Sequence, residues 1–149
     1  MSNKTKYYGR LYAFQFLYRE ATSENIDIDD LKSSLNEFEQ SLETIIQEQN
    51  LSGEMQVPSK ELGKIIIENF IQNKEVVQNE IKNYLHRNNF ENLSSIEKTI
   101  LKLGYYELKF TKDSYTEIIN DYINLAKEYG KKDSYSIING VLDSVKNSL

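Results

Sequence analysis

The chain has 149 residues, of which 39% are hydrophobic and 28% charged, enough to bury a core and too apolar for intrinsic disorder. Its net charge of -5 and pI near 5.0 lack the basic footprint common to nucleic-acid binders, although binding rests on local patches and not on the total. Cysteine is absent, which removes disulfides and thiolate metal ligands and suits a reducing compartment.

No apolar run reaches the roughly eighteen residues of a membrane span, and the start has no signal-peptide core, so a cytoplasmic protein is expected. Six or seven segments have helical period and none sustains two-residue alternation. The first runs from about Lys6 to Glu20, with Tyr7, Leu11, Phe14 and Tyr18 on one face and Ala13, Phe16 and Leu17 widening it. A helix so apolar around its circumference is expected to be buried on more than one side. An acidic loop, Ser23 to Asp30, follows, with Asp29 and Asp30 as candidate caps. Ile28, Leu31, Leu35, Phe38, Leu42 and Ile45 then recur at steps of three and four, predicting an amphipathic helix to about Gln49.

Asn50 to Pro58, with Ser52 and Gly53, reads as a surface loop and the one soft seam of a single domain spanning 1–149. Pro58 opens a helix whose predicted inner face is Leu62, Ile65, Ile66, Asn69 and Phe70, and Asn73 caps another carrying Val77, Ile81, Tyr84 and Leu85. Ser94-Ser95-Ile96-Glu97 is a capping box starting a helix with Ile96, Ile100, Leu103, Gly104 and Leu108. Ser114 to Glu117 has the same form and precedes Ile118, Ile119, Tyr122, Leu125, Ala126 and Tyr129, with Gly130 as the stop. Asp133 or Ser134 caps the last helix, which turns Ile138, Val141, Leu142 and Val145 inward. The expected fold is all-α, a compact bundle of about seven helices, with an N-terminal helix pair and a C-terminal bundle on either side of the seam.

Catalysis finds little support. The single histidine, His86, sits beside Arg87 where a solvated helix-end residue is the ordinary reading. One histidine and no cysteine argue against zinc, and the scattered glycines form neither a phosphate loop nor a nucleophile elbow. No enzyme, cofactor, metal or small-molecule substrate is expected. Glu37, Glu39, Glu43, Glu48 and Glu54 read as a solvated face. Tyr7, Tyr8, Tyr12 and Tyr18 surround the basic N-terminal stretch, a placement that suits stacking on bases or a core and its rim.

Four stretches together form a pattern. Arg10-Leu11-Tyr12-Ala13-Phe14-Gln15-Phe16-Leu17-Tyr18 begins it, and Ile96 to Leu108, containing Leu103-Gly104-Tyr105-Tyr106-Glu107-Leu108, follows. Glu117-Ile118-Ile119-Asn120-Asp121-Tyr122-Ile123-Asn124-Leu125-Ala126-Lys127-Glu128-Tyr129-Gly130 and Asp133-Ser134-Tyr135-Ser136-Ile137-Ile138-Asn139-Gly140-Val141-Leu142-Asp143 complete it. In motif, order and length the chain resembles the bacterial transcription antitermination factor family NusB, with roughly 20–60 matched only in being helical. The resemblance implies two small helical subdomains and a heterodimer with NusE, the ribosomal small-subunit protein. It also implies binding of single-stranded boxA-type RNA and support of the transcription elongation complex. Gly104 and Gly140 are expected to permit close helix contacts.

Carried over position by position, the resemblance implies RNA contacts at Lys4, Lys6, Tyr7 and Arg10 and again at Tyr129, Lys131, Lys132, Asp133 and Ile137. It implies partner contacts at Tyr18 and Glu97, although the capping box also explains Glu97. Two departures bear on function. The N-terminal run Lys4-Thr5-Lys6-Tyr7-Tyr8-Gly9-Arg10 holds three positive charges where the family commonly has an arginine cluster, and Ile137 replaces a common aromatic. Fewer phosphate contacts mean weaker RNA binding, so the alternative is a NusB-fold protein-interaction module with weak or lost RNA affinity. A third class, the domain fused to ribosomal RNA cytosine methyltransferases, is expected only of a fragment.

Overall fold

Ser2 opens the first helix by accepting the Thr5 amide at 3.1 Å, so α1 runs Asn3–Arg19 and begins three residues before the apolar period does. The computed structural model describes residues 1–20, 28–48, 55–85 and 90–149, and among these every regular element is a helix. After α1 come α2 (Ile28–Glu48), α3 (Val57–Gln72), α4 (Lys74–Ile81), α5 (Ser95–Phe110), α6 (Tyr115–Tyr129) and α7 (Ser134–Ser148). Short 3-10 turns occupy Lys82–Tyr84 and Phe90–Asn92. His86, Arg87 and the Gly53 loop lie outside the described residues. No described helix is long and apolar enough to cross a membrane.

The chain divides into two compact units, Met1–Gln72 and Asn73–Leu149. The boundary therefore falls after α3 and not in the 50–58 loop, because α3 packs chiefly on α1. Two glycines make that packing close. A Cβ on Gly63 would stand 2.5 Å from the Tyr12 ring, and one on Gly9 would stand 2.7 Å from Leu62. The inner face of α3 consists of Ser59, Gly63, Ile66, Ile67 and Phe70, while Ile65 is 55% exposed. Ile65 and Asn69, expected on the inner face, are exposed, because apposition of glycine against Tyr12 turns the helix so that its smallest side faces α1.

The three helices of the first unit are also joined by polar contacts. Tyr12 is buried and packs edge-on against Phe38 at 5.0 Å, and its hydroxyl donates to Glu39 at 2.9 Å. Glu39 also receives Lys64 of α3 at 2.9 Å. Burial pushes the Glu39 carboxyl up, but the hydrogen bonds from Lys64 and Tyr12 outweigh it and leave the group below its ordinary value. Glu39 thus ties α2 to α1 and α3 instead of standing on a purely solvated face. Asp29 and Asp30 lie within the first turn of α2, where their charges favour the helix start, so they are not its caps.

In the second unit α5, α6 and α7 pack on one another and α4 packs on α5. Glu107, 2% exposed, accepts the Tyr122 hydroxyl, and Tyr84 and Ser148 share a hydrogen bond of 2.8 Å. Glu80 of α4 accepts both the Tyr105 hydroxyl and Lys109 of α5. Gly104 lies against Leu142, where a Cβ would come within 2.9 Å of a methyl group, whereas nothing lies within 4 Å of the corresponding point on Gly140. Gly140 therefore faces open space and not a close helix contact. Of the two capping boxes only that of α5 forms. Ser114 and Asn73 occupy N-cap positions without a side-chain capping hydrogen bond.

Candidate nucleic-acid interface

Two groups of side chains were expected to meet RNA, and each belongs to a different unit. In the first unit, α1 carries Lys4, Lys6, Tyr7 and Arg10 on its first two turns. Its start is held by α3, where the Ser59 hydroxyl donates to the Thr5 carbonyl at 3.0 Å. Lys4 is exposed, and Lys6 and Tyr7 are half-buried, with Tyr7 edge-on to Tyr8 at 5.1 Å. Arg10 is only 1% exposed. Its sequence surroundings suggested an exposed phosphate ligand; tertiary packing encloses it instead, and a guanidinium so enclosed is not displayed to a polyanion. Tyr12 is likewise a core residue and not a stacking surface.

The second group lies at the turn between α6 and α7, and the turn is fixed by a chain of hydrogen bonds. Ser94 accepts the Glu97 amide at 3.1 Å, and Glu97 Oε1 accepts the Ser94 amide at 2.9 Å, completing the capping box. Glu97 Oε2 then accepts the Ser134 hydroxyl at 2.8 Å, and Ser134 Oγ accepts the Lys131 amide at 3.0 Å. Ser134 also donates its amide to the Lys131 carbonyl at 3.0 Å, closing the turn. Gly130 is extended, with φ -90°, and needs no left-handed conformation. Glycine is needed there for space: a Cβ would lie 2.7 Å from the Ala126 carbonyl and 2.8 Å from Ser134.

Burial opposes ionisation of Glu97, yet bonds from Ser94 and Ser134 and the nearby Lys131 charge hold its carboxyl below the ordinary range. With both oxygens engaged and 7% of its surface exposed, Glu97 serves this internal frame and offers little to a partner. Lys131, Lys132 and Asp133 are exposed on the framed turn, and Tyr129 and Ile137 are half-buried beside it in sequence. Tyr18, at the other end of α1, is 44% exposed and stacked on Phe14 at 5.9 Å. Of the two candidate caps of α7, Asp133 holds the N-cap position without a side-chain capping bond, and Ser134 bonds to Glu97 instead. Its bond to Glu97 spans 37 residues, and no local pattern announces a contact at that separation.

The family model for the NusB family matches residues 9–147. This chain belongs to the NusB family. A transcription antitermination protein NusB of Thermodesulfovibrio yellowstonii is 31% identical over 138 residues, covering 91% of this chain and 87% of that protein. The NusB of Treponema denticola is 42% identical over 82 residues, 54% of this chain. The chain spans 57% of the length of that relative, and 60% of the Campylobacter concisus NusB. A solved structure of T. maritima NusB superimposes with a TM-score of 0.73 at 25% identity, covering 99% of this chain and 92% of that one. The NusB fold is thus an all-helical one here, as the motif order implied. Among the described residues no cluster of His, Asp or Glu is arranged to hold a metal ion.

Proposed function

We propose that this NusB-family chain acts without catalysis in transcription antitermination in the cytoplasm. It binds single-stranded boxA-type leader RNA as a heterodimer with the ribosomal small-subunit protein NusE and serves the transcription elongation complex. One observation carries the RNA half of this reading. The exposed Lys131-Lys132 pair rides on a turn held by Glu97 and Ser134, so its geometry is set before a ligand arrives. Such preorganisation lowers the ordering cost of binding. The relatives' name, transcription antitermination protein, supports the wider role, and the exposed Tyr18 ring supports a partner at that end of α1.

Titration of labelled boxA-type RNA with this protein, with NusE, and with both tests the proposal. Affinity is expected to be weak for the isolated chain and clearly higher with both proteins present. Equal binding with and without NusE would refute the heterodimer, and no binding in any arm would refute the RNA role. Weak or absent binding in every arm is what the second reading, a protein-interaction module with weak or lost RNA affinity, predicts. Burial of Arg10 favours it, as does charge: residues 1–72 hold seven Lys and Arg against twelve Asp and Glu, while 73–149 hold eleven of each.

A further inference from the structure

Tyr135 stands in the first turn of α7 and remains 44% exposed. Nζ of Lys127, near the end of α6, lies 5.3 Å from its ring centroid, and Lys127 is itself exposed. A single exposed aromatic is ordinary. This one has a cation at its ring, and Lys131 and Lys132 are exposed four and three residues before it on the turn that joins the two helices. Nor is the ring on a loose loop: Ser134, next to it in sequence, is fully buried and bonded to Glu97 and Lys131.

Charge alone does not explain what such a surface would hold. Glu128 and Asp133 lie in the same segment, so residues 127–135 carry three lysines against two carboxylates, an excess of one. A site relying on that excess would hold a polyanion loosely and lose it in moderate salt. An exposed aromatic ring adds a term that salt does not screen, since every nucleobase has a π-face to lay on it. A cation at the ring also makes the assembly more attractive to an electron-rich base carrying a phosphate.

We propose that Tyr135, backed by Lys127, is a stacking platform for an unpaired base of bound RNA, with Lys131 and Lys132 taking neighbouring phosphates. The assignment rests on the RNA-binding reading above and adds to it two residues, Lys127 and Tyr135, at which the family resemblance implied no RNA contact. Duplex RNA keeps its bases stacked on one another, so the platform selects single strands.

The test uses single-stranded boxA-type RNA carrying 2-aminopurine at successive positions, titrated with the full chain in the presence of NusE. At one position the fluorescence is expected to be quenched on binding. Tyr135→Ala should abolish that quench and weaken binding at least about fivefold, the lower end of a base–aromatic stack, with an unchanged salt slope. Tyr135→Phe should preserve both, and Tyr135→Leu, which keeps bulk but no π-face, should behave like the alanine variant. Lys131→Ala with Lys132→Ala should instead lower the slope by up to about two units. Wild-type affinity and quench in Tyr135→Ala would overturn the platform while leaving RNA binding intact. Failure of the wild-type protein with NusE to bind any of the RNAs would overturn both.

Discussion

Removing the Glu97 carboxylate takes away a helix cap and, in the same change, the acceptor of a buried hydroxyl on another helix. Glu97→Ala should therefore cost about 2–3 kcal/mol, more than the roughly 1 kcal/mol of a cap alone, read as a lower urea midpoint. Ser134→Ala should lose less, because its variant leaves the capping box whole. Glu97→Lys should reduce stability more than affinity for NusE. Calorimetric titration beside urea melts decides this, since an exposed contact would give the reverse order. Lys6 and Arg10 separate in the same way. Lys6→Ala, at a half-buried position, should keep the fold and lower the RNA salt slope by up to about one unit. Arg10→Ala should lower stability by about 2 kcal/mol or more, because its side chain is enclosed.

At the scale of the elements, the glycines make distinct tests of helix packing. Alanine favours a helix interior over glycine by about 1 kcal/mol when nothing obstructs its methyl. Gly140→Ala meets open space and should raise the urea midpoint by an amount worth about 0.5–1 kcal/mol. Gly63→Ala places the methyl 2.5 Å from the ring of Tyr12, which is held by Phe38 and Glu39 and cannot move aside without breaking them. It should destabilise by about 1–3 kcal/mol, the usual range for overpacking. Gly104→Ala meets only the methyl ends of Leu142 and should fall between the two. Equal effects at Gly63 and Gly140 would contradict the close α1–α3 packing.

Across the whole molecule, both units carry ionisable pairs that limit the pH range of stability. Glu39, Glu80 and Glu97 all have carboxyls below their ordinary value in the folded protein. Groups lowered on folding stabilise fully above the unfolded value, and that contribution is lost as pH falls through the folded one. Tyr12 and Tyr105 are raised, first by burial and then by Glu39 and Glu80 respectively, so their contribution is present below about pH 10 and declines above it. Urea midpoints should therefore form a plateau from about pH 5 to 10 and fall on either side. Tyr12→Phe should flatten the alkaline limb and also lessen the acid limb, because Glu39 loses one of the bonds that lower its carboxyl. An unchanged alkaline limb would show that the Tyr12–Glu39 bond does not contribute there.

What the sequence determined was set by near neighbours. The 3.6-residue period placed the helices, and Ser94 with Glu97 fixed the start of α5, because a cap and its amide are three residues apart. Motif order identified the family, since Leu101, Leu125 and Leu142 are core positions that this fold requires. The same local signals misjudged Ser114 and Gly140, where a matching residue type stands without the matching contact. Tertiary structure alone decided that the boundary follows α3, that Gly9 and Gly63 let α3 lie close on α1, and that Arg10 is enclosed. It likewise joined Glu97 to Ser134 and placed Lys127 over the Tyr135 ring. Burial and pairing depend on which side chains arrive from distant parts of the chain. A residue's own neighbours in sequence record its helix, but not what the other helices bring to each of its faces.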